Sequence, residues 1–140
     1  MKKLLRYSLT LVFALVASVS FAATYTYSFT EKAFGKSGET ADLGGIEWTA
    51  TTDAGYFGFD ENYGKGQQFG SKKKPATTLT LSTAAFKDKI TAITVETAGA
   101  GGIKATLDVT VGGKAFGKQY TVTTTKTEAE FKGEAVRKLN

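Results

Sequence analysis

The alternation of apolar with hydroxylated or charged side chains most narrows the folds open to this chain. Ile103, Ala105, Leu107, Val109 and Val111 occupy every second place, interleaved with Lys104, Thr106, Asp108 and Thr110. Tyr25, Tyr27 and Phe29 repeat the pattern among Thr24, Thr26, Ser28 and Thr30, as do Ile46, Trp48 and Ala50 among Glu47, Thr49 and Thr51. Leu79 and Leu81, Ile93 and Val95, and Tyr120 and Val122 do the same between threonines, Ser82 and Gln119. Successive side chains of a strand point to opposite sides, so a period of two predicts strands with one buried and one wet face. Threonine suits the wet face, because its β-branch favours extended backbone and its hydroxyl stays solvated.

Turn signals separate these runs. Gly44-Gly45 precedes the tryptophan strand and Asp53-Ala54-Gly55 follows it. Gly99-Ala100-Gly101-Gly102 joins two runs, and Gly112-Gly113 closes the longest one. Glycine supplies the positive φ that tight hairpins need. Residues 84–89 have room for a single helical turn, and Pro75 falls in a loop. The chain has no cysteine, so packing and backbone pairing must stabilise it without disulfides. One-sided strands need a second sheet to cover them. The expected fold is therefore all-β, a two-sheet antiparallel β-sandwich of jelly-roll-like form, with a closed barrel as the second choice.

The N-terminus reads as an address. Lys2, Lys3 and Arg6 precede an apolar stretch from Leu9 to Phe21, and Ser20-Phe21-Ala22 places small residues at −3 and −1 of a cleavage site. This is the layout of a secretory signal peptide over residues 1–22. A membrane anchor is the competing reading. The stretch is broken by Thr10, Ser18 and Ser20 and falls short of the ~20 apolar residues a span needs. No stable membrane span is expected after cleavage, and the expected location is secreted, periplasmic or at the cell surface. Cleavage removes 22 of 140 residues, leaving residues 23–140 as one domain. It also removes three basic residues, so the net charge falls from +5 to +2. That balance argues against nucleic acid as a partner.

Residues 55–71 depart from simple alternation. Aromatics, glycines and amides are interleaved there as nowhere else in the chain. Sugar recognition uses this mixture: an aromatic ring stacks on the apolar face of a pyranose while amides and carboxylates bond its hydroxyls. Tyr56, Asp60, Asn62, Tyr63, Gln67 and Gln68 are the candidate ligand-binding residues. Phe57, Phe59 and Phe69 are expected in the core, as large aromatics usually are, and Trp48 with them.

Gly45-Ile46-Glu47-Trp48-Thr49, Gly55-Tyr56-Phe57-Gly58-Phe59-Asp60 and Lys65-Gly66-Gln67-Gln68-Phe69-Gly70-Ser71 together resemble a β-sandwich, carbohydrate-binding-module-like domain of secreted bacterial proteins. The likeness continues through Leu79-Thr80-Leu81-Ser82, Ile90-Thr91-Ala92-Ile93 and Val109-Thr110-Val111-Gly112-Gly113. The resemblance implies a non-catalytic role and names no ligand. Modules that look like it continue past the equivalent of Lys138-Leu139-Asn140 with one or two more apolar strands. A sheet edge or inner face left uncovered here would invite self-association or a protein partner.

Other chemistry finds less support. Without His or Cys the chain lacks the usual general base, thiol nucleophile and transition-metal ligands. A small hydrolase would have to pair carboxylates such as Glu47 and Asp60 across a cleft. Structural calcium would draw on Asp53, Asp60, Glu61 and Asn62, whose spacing does not fit an EF-hand. Lys72-Lys73-Lys74 reads as a solvated loop. The expected function is an exported, non-catalytic module without cofactor, binding glycan or another cell-surface polymer. A structural or adhesion module contacting protein is the alternative, and enzyme activity is not expected.

Overall fold

The computed structural model describes residues 11–19, 23–62, 65–86 and 89–136. They form thirteen strands and no helix, in four antiparallel sheets. The all-β expectation holds. The expected helical turn at 84–89 falls partly outside the described residues, and 84–86 are not helical.

The small sheet shows how local sequence becomes structure. Strands β3 (Glu39–Leu43) and β4 (Ile46–Thr52) form a hairpin whose register closes at Leu43 opposite Ile46. Its two-residue loop is Gly44-Gly45, with φ of 66° and 94°, the left-handed pair a type I′ turn requires. The Asp42 carboxylate accepts the Gly45 amide at 2.7 Å. On β4, Trp48, Ala50 and Thr52 are buried and Glu47 and Thr51 exposed, as the alternation predicts. Strand β7 (Leu79–Ser82) pairs with the other edge of β4.

The larger sheet runs β13 (Thr127–Val136), β8 (Lys89–Gly99), β1 (Leu11–Val19), β6 (Gly66–Phe69) and β5 (Phe57–Asp60), with β2 (Ala23–Tyr27) also on β1. Residues 11–19, which fall within the expected leader, thus form a central strand. All nine pair with or lie in register along β8. On its opposite edge β1 pairs with β6 through Leu11–Phe13 and with β2 through Leu15–Val19. The basic residues and the cleavage motif of the expected leader lie outside the described residues.

Register assigns the two faces of this sheet. Val95 and Ile93 stand beside Ala129 and Phe131 on the core side. Thr94 and Glu96 stand beside Glu130 and Glu128 on the other, where Lys126 bridges Glu96 at 3.5 Å and Lys132 meets Glu130 at 3.7 Å.

The long alternating run is divided. It contributes β9 (Thr106–Leu107), paired with β12 (Tyr120–Thr121), and β10 (Thr110–Val111), paired with β11 (Lys114–Ala115) around Gly112-Gly113. Burial still alternates through it, from half-buried Ile103 to buried Val111. Gly117, at φ 77°, sits so close to Phe131 that a Cβ would meet the Phe131 Cβ at 2.9 Å.

Both the larger sheet and the three-stranded sheet contribute to one buried cluster, which includes Phe34, Leu43, Trp48, Phe69, Val95, Val111, Phe116, Val122 and Phe131. Trp48 donates its indole N–H to the Tyr25 hydroxyl at 3.2 Å, and that hydroxyl donates to the Leu43 carbonyl. Burial pushes the Tyr25 phenol above its ordinary value, against the opposing pull of the Trp48 bond. Phe86 packs edge-on to both rings.

Candidate functional site

Strands β5 and β6 carry most of the expected ligand-binding residues, and their register sorts them by face. Phe57 lies opposite Phe69 and Phe59 opposite Gln67, whereas Gly58 lies opposite Gln68 and Asp60 opposite Gly66. Phe69 and Gln67 are wholly buried and Phe57 and Phe59 pack against the core, so that row points inward. Gly58, Asp60 and Gln68 belong to the outer row.

Tyr56 covers Gly58 of that outer row. Its ring lies over Gly58, and at 43% exposure it is the exposed large hydrophobic side chain among the described residues. Its carbonyl accepts the Gly70 amide at 2.8 Å, tying the start of β5 to the end of β6. Gln68 is half-buried and donates its amide to the Gly70 carbonyl at 3.0 Å. Asp60 is half-buried and accepts the Lys65 amide at 3.2 Å, closing the turn between the two strands. Lys65 has φ of 56°, a left-handed value that a non-glycine residue adopts at some cost. Asn62 is exposed in that turn, and Tyr63 lies outside the described residues.

Gln67 does not belong to this surface. Its side-chain oxygen accepts the amides of Ala33 and Phe34 at 2.8 and 2.9 Å, and its nitrogen donates to the Phe34 carbonyl at 3.0 Å. Wholly buried, it offers nothing to a ligand and instead pins the 33–34 segment to β6. The sequence gives no local sign of this role, because its partners lie 33 and 34 residues away.

The lysine run borders the site. Ser71 and Lys74 close a turn with Ser71 N to Lys74 O at 2.9 Å and Lys74 N to Ser71 Oγ at 3.0 Å. The stem of Lys74 lies against Gly55, next to Tyr56, and all three lysines are exposed. The run is exposed, as a solvated loop would be, but its place beside the tyrosine has no sign in the sequence.

Glu47 and Asp60, the candidate carboxylate pair, lie on different sheets. Glu47 is exposed on β4 of the three-stranded sheet, and Asp60 is on β5 of the larger one. Asp53 is engaged locally. It accepts the Thr77 amide at 2.8 Å, the Thr78 amide at 3.1 Å and the Thr77 hydroxyl. Burial works to raise its carboxyl, but these bonds outweigh it and hold the group below its ordinary value. Among the described residues no three acidic side chains gather into a metal-binding group. No described helix is long and apolar enough to cross a membrane.

No family model matches this chain, and searches of curated proteins and of solved structures find no significant match.

Proposed function

We propose that the protein is an exported, non-catalytic binding module of β-sandwich form, and that Tyr56 is the platform on which it receives a glycan or other cell-surface polymer. The observation that carries this reading is the Tyr56 ring, held over Gly58 and open to solvent. An exposed ring beside polar side chains suits a pyranose, whose C–H face stacks while its hydroxyls find hydrogen-bonding partners. Gln68 and Asp60 share the strand face beneath the ring, and Asn62 lies in the adjoining turn. The lysines of the 71–74 turn add positive charge at its edge, which suits a polymer carrying acidic groups.

Affinity electrophoresis in gels containing neutral xylan or uronate-rich alginate tests this. The wild type should be retarded in at least one gel. Tyr56→Ala should run at its free mobility with an unchanged circular-dichroism spectrum. Equal retardation of wild type and variant, or no retardation in any gel, overturns the assignment.

A further inference from the structure

Strand β1 is paired along both of its edges in the larger sheet. Along one edge, Leu11–Ser18 are matched to Gly99–Ala92 of β8, and after a bulge that skips Thr91, Val19 lies opposite Ile90. Along the other, Leu11–Phe13 pair with Phe69–Gln67, and Leu15–Val19 with Tyr27–Ala23. Among the described residues, no other pairing joins the β13-β8 half of this sheet to the β6-β5 half. Without β1 the sheet divides, and both β8 and β6 present unpaired N–H and C=O groups along an edge.

The occupant has a defined chemistry. Leu11–Val19 contains no charged residue. Its odd positions, Leu11, Phe13, Leu15 and Ala17, are in register with Gly99, Thr97, Val95 and Ile93, the row that faces the core. Its even positions, Val12, Ala14, Val16 and Ser18, are in register with Ala98, Glu96, Thr94 and Ala92. One β8 side chain is left unsatisfied: Thr97 is 1% exposed, and its hydroxyl finds no hydrogen-bond partner among the described residues.

We propose that the gap between β8 and β6 is an acceptor slot, and that after removal of residues 1–22 it takes an extended segment of another polypeptide as its missing strand. This rests on the signal-peptide reading of the N-terminus. The incoming segment runs antiparallel to β8 and β6, spans about nine residues, carries no charge, and has bulky apolar side chains at alternate positions. Backbone pairing supplies affinity and the alternating core-facing positions supply specificity, the mode of strand addition to an open sheet. A second processed copy is a poor donor. It has lost its own Leu11–Val19, and its β2 is held by Tyr25 through Leu43 and Trp48. Its other long uncharged run, residues 75–86, contains β7, already paired with β4.

The test uses the protein as exported, purified without denaturant. Intact mass should place its N-terminus at Ala23, and a mature chain that retains residues 11–19 overturns the proposal. A fluorescent peptide of sequence LVFALVASV with a solubilising tail is then titrated in. Saturable one-to-one binding is expected, together with slowed amide exchange across Lys89–Gly99 and Gly66–Phe69. A peptide with proline at the position of Leu15 removes a ladder donor without touching the protein, and should bind more than about tenfold more weakly. Failure of the peptide to bind overturns the proposal, as does equal binding of the proline peptide. A homo-oligomer that the peptide does not dissociate also overturns it, because the occupant is then a second copy. The glycan reading stands or falls separately, on Tyr56.

Discussion

The ring of Tyr56 lies over the α-carbon of Gly58, so close that a Cβ there would meet the phenol oxygen at 2.5 Å and two ring carbons at 2.9 Å. Gly58 is therefore the seat of the proposed platform. The obstructing atoms belong to the far end of an exposed side chain, which can swing away. Gly58→Ala should leave stability within about 1 kcal/mol of wild type while displacing the ring. The measurement pairs a urea midpoint with electrophoretic retardation in polysaccharide gels. Unchanged retardation would show that the ring's seat does not matter to binding.

Gln67 should behave as a structural residue. Gln67→Ala leaves the buried N–H and carbonyl of Phe34 and the half-buried N–H of Ala33 without the amide's bonds. The expected cost is about 2–4 kcal/mol, read from the urea unfolding midpoint. A midpoint equal to that of wild type would mean that water or another group replaces the amide without loss.

Asp53 links stability to acid. Its carboxyl titrates lower in the folded chain than in the unfolded one, despite the burial that opposes this, because Thr77 and Thr78 donate to the charged form. Its contribution is therefore complete above the unfolded value of about 3.9 and disappears as pH falls through the lower folded value. Asp53→Asn should be less stable than wild type near neutral pH, and the gap should close in strong acid. Urea midpoints across that range decide it, and a gap independent of pH would contradict the linkage.

Thr97 is the opposite case, a buried hydroxyl with nothing to bond among the described residues. Thr97→Val keeps the branched shape and removes the unsatisfied oxygen. In the full chain it should raise stability by about 1 kcal/mol, seen as a thermal midpoint a few degrees higher. A lower midpoint would reveal a partner for the hydroxyl.

Much of the strand pattern was legible because its causes are local. Ile46, Trp48 and Ala50 alternate in sequence and in burial, and Gly44-Gly45 and Gly112-Gly113 sit at two-residue hairpin turns. The site was legible only in part. Tyr56, Asp60, Asn62 and Gln68 lie together on or beside one strand face, but Gln67, adjacent to Gln68, points the other way. Composition marked the segment as unusual, and the period of two then divided it between ligand side and core. The lysine turn was visible as a charge run, but its nearness to Tyr56 comes from Lys74 lying against Gly55, a contact between residues far apart in the chain.

What the sequence determined by itself is the all-β character and the hairpin turns, since both follow from the side-chain period and from glycine's access to positive φ. Which strands meet was decided only by tertiary structure. An uncharged apolar run such as Leu11–Val19 satisfies a leader's requirements and a central strand's equally well, because both need continuous apolarity and neither imposes alternation. Its pairing with β8 and β6 depends on edges contributed by residues more than fifty positions away, and no local pattern encodes a partner at that distance.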